Sequence, residues 1–160
     1  MRIQLAKGIA LLPTGLMSGA FGYGALNLAP TFRAVSLDMR ISFHAELMKM
    51  NSTVMQSAMT VAASSTIALV VLAQGSVRRL TTGASLLTVA TFLVTRLGNV
   101  PINGQIKKWA VSAAPDDHAE ILQRWDLYND IRTVTAVGAF LLLAIMAVGT
   151  QQERHLPDER

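Results

Sequence analysis

The polar residues that can do chemistry in this chain of 160 residues sit at the ends of long apolar runs. Asn27 closes the first run. His44, Glu46 and Asn51 approach and open the second, and Arg96, Asn99 and Asn103 close the third. Trp125, Asp126, Asn129 and Arg132 approach and open the fourth. Trp125, Asn129 and Arg132 stand at i, i+4 and i+7, which is one face of a helix. His44 and Asn51 have the same heptad spacing, as do Arg96 and Asn103 with Asn99 between them. These types suit a polar mouth that binds a ligand, and a neutral imidazole there can accept a proton near neutral pH or serve as a hydrogen-bonded structural group.

Arg96 and Arg132 matter most energetically. A charge close to a hydrocarbon core costs a few kcal/mol and faces a partner or a wet cavity, unless it snorkels to the headgroups from a helix end. Asp126, Asp130 and Glu46 are the candidate counter-ions. Pro101 cannot donate to the carbonyl of Leu97, so it should kink or end the third helix beside Asn99 and Asn103. His44 is the one histidine at a helix start on this side: His118 lies in an acidic loop and His155 in the C-terminal tail. A His44–Glu46 pair falls far short of a metal site, and Met48, Met55 and Met59 on one helix face suit core packing better than Cu(I). With no cysteine, thiolate metal sites, iron–sulfur clusters and disulfides are excluded. The chain has no phosphate-binding glycine loop, no G-x-S-x-G, no H-E-x-x-H and no dinucleotide fingerprint. The expectation is therefore a site without metal or cofactor.

Helices must hold these groups. Spanning a bilayer takes about 20 mostly apolar residues, and four segments qualify, near 5–28, 50–73, 80–100 and 131–149. The charged share is 15% and the mean hydropathy +0.39, against about 25% charge in a soluble domain, so much of the surface should face lipid. The fold class is all-α, a four-helix transmembrane bundle over residues 1–150 with a polar tail at 151–160. The connections expected are a long one at 29–49, with room for a short extra helix, a short one at 74–79 and a long one at 101–130. Both termini and the Arg78–Arg79 turn then share one side, and the polar residues gather on the other. Apart from Arg96 and Arg132 inside the spans, Lys and Arg divide evenly between the sides, six on each; the first span and the short turn favour cytoplasmic termini. The net charge of +4 is scattered, which points to lipid headgroups or an acidic small molecule and away from nucleic acid. Spans two and three carry many Ser and Thr hydroxyls, which suit a bundle interior. Gly15 and Gly19 form a G-x-x-x-G pair for close packing inside the bundle, or else for a homo-oligomer.

The stretch Asn99-Val100-Pro101-Ile102-Asn103, then Trp109, then Arg124-Trp125, Asn129 and Arg132-Thr133 resembles the anthrone-oxygenase-like family of small four-span membrane proteins. The resemblance is specific over Asn99 to Thr133. It implies an oxygenase that turns an anthrone into an anthraquinone in aromatic polyketide pathways, without an obvious redox cofactor. In that setting His44 is the candidate base, Arg132 and Asn103 are catalytic with Asn129 as a further oxyanion donor, and Trp125 and Trp109 stack on the substrate. Asn99, Arg96 and Asn51 complete the expected binding set. The alternative is a non-catalytic membrane subunit that stabilises a partner protein or lipid. An enzyme predicts a closed apolar pocket under the polar end, whereas a subunit predicts that the same residues pair with one another and leave no pocket. A transporter is disfavoured by the lack of an internal repeat or broken-helix pair.

Overall fold

The computed structural model describes residues 2–152 and consists of four long helices, with no strand among the described residues. Arg154, His155 and Arg160, with most of the expected tail, lie outside the described residues. Helix α1 runs through Arg2–Tyr23, a π-helical turn at Gly24–Leu28 and a last α-helical stretch Ala29–Ala34. Helix α2 is Leu37–Leu72. Helix α3 is Gly75–Val94, a π-helical turn at Thr95–Asn99, and Val100–Trp109. Helix α4 is His118–Gln152. Each helix is long and apolar enough to cross a membrane, and the chain is a multi-pass membrane protein. Lipid imposes this class, because in hydrocarbon every backbone N–H and C=O must be satisfied internally.

The connections are shorter than the apolar runs suggest. At about 1.5 Å per residue, the 36 residues of α2 overshoot a hydrocarbon core of about 30 Å. The segment 29–49 is helical apart from Val35 and Ser36, and 101–130 is helical apart from the link at 110–117. Arg78 and Arg79 lie in the first turns of α3, because only Ala73 and Gln74 separate it from α2. That tight turn depends on Gly75, whose φ of +58° is open to glycine. Pro101 does not end α3. The π turn before it shifts the ladder, with the Val100 N–H donating to the Thr95 carbonyl. In α1 the Ala29 N–H donates to the Gly24 carbonyl, and Pro30 follows. In both helices a proline, which has no N–H to give, stands in the first turn of the resumed α-helix, where its missing donor costs least.

The helices form an antiparallel bundle in which α1 and α3 each pack against both α2 and α4. The core has three layers. At the end nearest the termini, Ala10, Leu69, Ala84, Leu143 and Met146 meet. Met17, Phe21, Met59, Ala62 and Ala136 fill the middle. At the opposite end, the loop end, the layer turns aromatic: Phe32, Trp109 and Trp125 with Ile41, Ile102, Ile106, Ile121 and Leu122. Leu12, Leu16, Leu86, Val134 and Leu141 face outward, a surface suited to lipid. Of the hydroxyls in α2 and α3, Thr66, Thr81, Ser85, Thr88, Thr91 and Thr95 are buried, while Thr53, Ser57, Thr60 and Thr82 are exposed. Thr60 and Thr82 satisfy themselves by donating to carbonyls four residues back. Gly15 serves packing inside the bundle: a Cβ there would come within 2.9 Å of the Phe140 ring of α4, whereas one at Gly19 would meet nothing within 4 Å.

Candidate functional site

Between the middle and loop-end layers lies a cavity of about 360 Å³, within the range of ligand sites. The π turns of α1 and α3 border it: Gly24 and Leu28 contribute from one, Thr95 from the other, and Val100 follows directly. Such turns recur at functional sites because they re-aim the side chains around them. Phe21, Leu28, Phe32, Leu47, Met55 and Met59 make most of the wall apolar. Tyr23 of α1, Asn51, Ser52 and Gln56 of α2, Thr95 and Asn103 of α3, and Trp125, Asn129 and Arg132 of α4 supply its polar groups.

Arg132 is held by its neighbours but not neutralised. Its Nη2 donates to Asn129 Oδ1 at 2.8 Å. Its guanidinium carbon lies 4.5 Å from the centre of the Phe21 ring and 5.9 Å from that of Trp125, which gives cation–π attraction. Its Nε and Asn129 Nδ2 are buried with no hydrogen-bond partner. No carboxylate pairs with Arg132 among the described residues. Asp126, one expected counter-ion, belongs elsewhere, with Arg40 Nη2 at 3.3 Å and Arg33 Nη1 at 3.6 Å.

Behind the cavity wall, the hydrogen bonds fix the tautomer of His44. Trp125 Nε1 can only donate, so the Asn103 atom 2.8 Å away is the carbonyl oxygen. His44 Nε2 faces the same oxygen at 3.1 Å and must therefore carry a hydrogen. In the neutral ring, Nδ1 is then the bare nitrogen, and it has no partner. The ring is clamped by Phe32, stacked at 5.0 Å with an interplanar angle of 10°, and by Trp125, edge-on at 4.7 Å. His44 is 0% exposed. It touches the cavity only through Asn103, Phe32 and Trp125.

The expected residues therefore separate into three groups. Asn51, Asn103, Trp125, Asn129 and Arg132 line the cavity. Asn99 and His44 stand one layer back, Asn99 donating from Nδ2 to the Trp125 carbonyl at 3.1 Å and so tying α3 to α4. Trp109 is buried in the loop-end layer away from the cavity, and Arg96 is exposed on the outside of α3. Arg96 and Asn103 do not share a face, because Arg96 lies in the π turn, which spends an extra residue and rotates Asn103 relative to it. Nor do Arg132 and Asn103 bond each other: each has its own partners across the cavity wall. The sequence reading missed Phe21, Phe32 and the Arg33–Asp126–Arg40 cluster. Phe32 and Arg33 fall in what hydropathy marks as a loop, although their aromatic and cationic types on the polar side were a usable signal. Met55 and Met59 are cavity wall, and Met59 also belongs to the middle core layer.

The model of the anthrone oxygenase family matches residues 45–142, more than half of the chain; the cavity residues from α2, α3 and α4 fall inside the match, and those from α1, with His44, fall outside it. No curated protein and no solved structure matches the chain.

Proposed function

The chain belongs to the anthrone oxygenase family, and we propose that it is a membrane-embedded oxygenase acting on a lipophilic, anthrone-like aromatic ketone with an acidic CH₂ group. The observation that carries this reading is Arg132, a cation with no carboxylate partner among the described residues, on the wall of a largely apolar cavity. A charge in such surroundings is costly unless something of opposite sign joins it. The enolate of an aromatic ketone is such a group: it is flat and greasy with one anionic oxygen.

The chemistry follows from that pairing. Loss of a proton from the CH₂ gives the enolate, whose oxygen is held by Arg132 with the Asn129 and Asn103 amides. Phe21, Phe32 and Trp125 flank the rings. Nδ1 of His44, a bare nitrogen without a partner just behind the cavity wall, is the base that takes the proton. The electron-rich enolate gives one electron to O₂, and the two radicals join in a new C–O bond. A proton completes the hydroperoxide. Loss of the remaining hydrogen on that carbon, as a proton, breaks the O–O bond and leaves a carbonyl and water. One oxygen atom enters the product and the other becomes water. The substrate carbon supplies every electron, so the reaction is cofactor-independent. The open cavity also speaks against a purely structural subunit, in which these polar groups would pair with one another and close it.

The test is O₂ uptake by proteoliposomes supplied with anthrone. The wild-type protein accelerates uptake and yields the quinone. Arg132→Ala loses this activity, and so does His44→Gln, which keeps an N–H for Asn103 but has no basic nitrogen. A wild-type rate equal to that of empty liposomes, or both variants at the wild-type rate, would overturn the proposal.

A further inference from the structure

The cavity has a lid where an entrance from water would be expected. Its loop end is closed by Phe32, His44 and Trp125, all nearly or fully buried and packed on one another. Its floor is closed by Phe21, Met59 and Thr95, also buried. The α3 and α4 residues on its wall are buried or half-buried. The exposed members of the lining are Ala20 and Tyr23 of α1 and Gln56 of α2. A Cβ added at Gly24, also at this edge, would meet nothing within 4 Å, so the seam is open there.

We infer that the cavity opens sideways, between α1 and α2, and takes its ligand from the bilayer. Ala20, Tyr23 and Gln56 lie within the apolar runs near 5–28 and 50–73, the parts of the two helices suited to lipid, so the opening faces the bilayer. The small residues Ala20 and Gly24 leave the gap. Tyr23, 62% exposed beside it, is an amphipathic ring of the kind that settles near the headgroup boundary. Asn129 and Arg132 line the cavity from α4, with the Arg132 guanidinium on the Phe21 ring. A molecule entering from lipid thus brings its polar end to the guanidinium and leaves its apolar remainder towards the seam. The ligand class this selects is a membrane-partitioned amphiphile with a single polar end; water-soluble anions have no route. The inference rests on the cavity as a ligand site and needs none of the oxygenase chemistry.

The chain has no cysteine, so a single Met59→Cys places one thiol on the cavity wall. In proteoliposomes this thiol should react with pyrenyl maleimide, which dissolves in the bilayer, and resist a charged methanethiosulfonate applied to both faces. Adding Ala20→Trp at the exposed edge should slow the pyrenyl reaction by about tenfold or more, equal to about 1.4 kcal/mol of added barrier. Gln56→Trp provides a second plug from the other helix. Equal labelling by the charged reagent, or a pyrenyl rate untouched by both plugs, would overturn the sideways entrance. Loss of O₂ uptake with normal labelling would instead count against the chemistry alone.

Discussion

The two ends of the bundle treat their buried polar groups in opposite ways. Towards the termini, the buried hydroxyls are satisfied within their own helices: Thr14, Thr81 and Thr88 each donate to a carbonyl four residues back, at 2.8–2.9 Å. At the loop end, Arg40 Nε, His44 Nδ1, Asn99 Oδ1, Asn129 Nδ2 and Arg132 Nε are buried without a partner. Leaving such an atom unpaired costs about 1–3 kcal/mol each. A sequence selected only for a stable bundle would not gather that cost in one place. The same end carries both π turns, the aromatic clamp on His44 and two arginines sharing Asp126. The contrast teaches that one end is built as a frame and the other to meet a ligand.

The largest effect should come from separating stability from activity at Arg132. Arg132→Met keeps the length and apolar bulk but removes the charge. Turnover should fall by about 10²–10³, as when an oxyanion donor is lost, while the melting temperature in detergent holds or rises, since replacing a poorly compensated buried charge with a packed apolar group is often neutral or stabilising. A fall in both would make Arg132 part of the frame.

The π turn of α3 offers the next test. A Cβ at Gly98 would lie 2.7 Å from the Tyr128 ring, so Gly98→Ala must push α4 or the ring away. Overpacking of this kind costs about 1–3 kcal/mol, seen as a lower unfolding midpoint. Gly19→Ala, with nothing within 4 Å, should be neutral or gain up to about 1 kcal/mol from helix propensity. Equal behaviour of the two glycines would show that the α3 π turn is not closely packed against α4.

A smaller effect is expected from Trp125→Phe. Asn103 keeps the His44 donor, so the cost is about 1 kcal/mol. The amide is then no longer fixed by a donor-only group and can turn over, and the His44 tautomer with it. In ¹⁵N spectra of histidine-labelled protein, wild-type His44 should show hydrogen on Nε2, and the variant a mixture. An unchanged tautomer would show that Asn103 is fixed by something else.

The smallest change belongs to the terminal end. Thr88→Val keeps the shape and loses only a bond to the helix's own backbone, so stability should move by less than about 1 kcal/mol and O₂ uptake should stay at the wild-type level. A large loss of activity would mean that the frame is not separable from the site.

The sequence alone determined the class, because a run of about 20 apolar residues has one stable answer in lipid, a helix, and four such runs make a bundle. It also determined which end would be polar, since the Asn, Arg, His and Trp residues cluster at run ends that topology brings together. Where a helix is regular, its spacing was enough: Trp125, Asn129 and Arg132 share a face, and all three reach the cavity. Three things were decided only by tertiary structure. The polar extensions at 29–49 and 101–130 are helical because they pack on one another as an aromatic layer, and no hydropathy signal marks that. The π turns changed the phase of α1 and α3, sending Arg96 outward although its spacing put it with Asn103. His44 was drawn behind the wall by one shared oxygen on Asn103, a contact between residues 59 positions apart. Helical periodicity is a local property that a single inserted residue resets, and a shared acceptor between distant helices exists only after the bundle has closed.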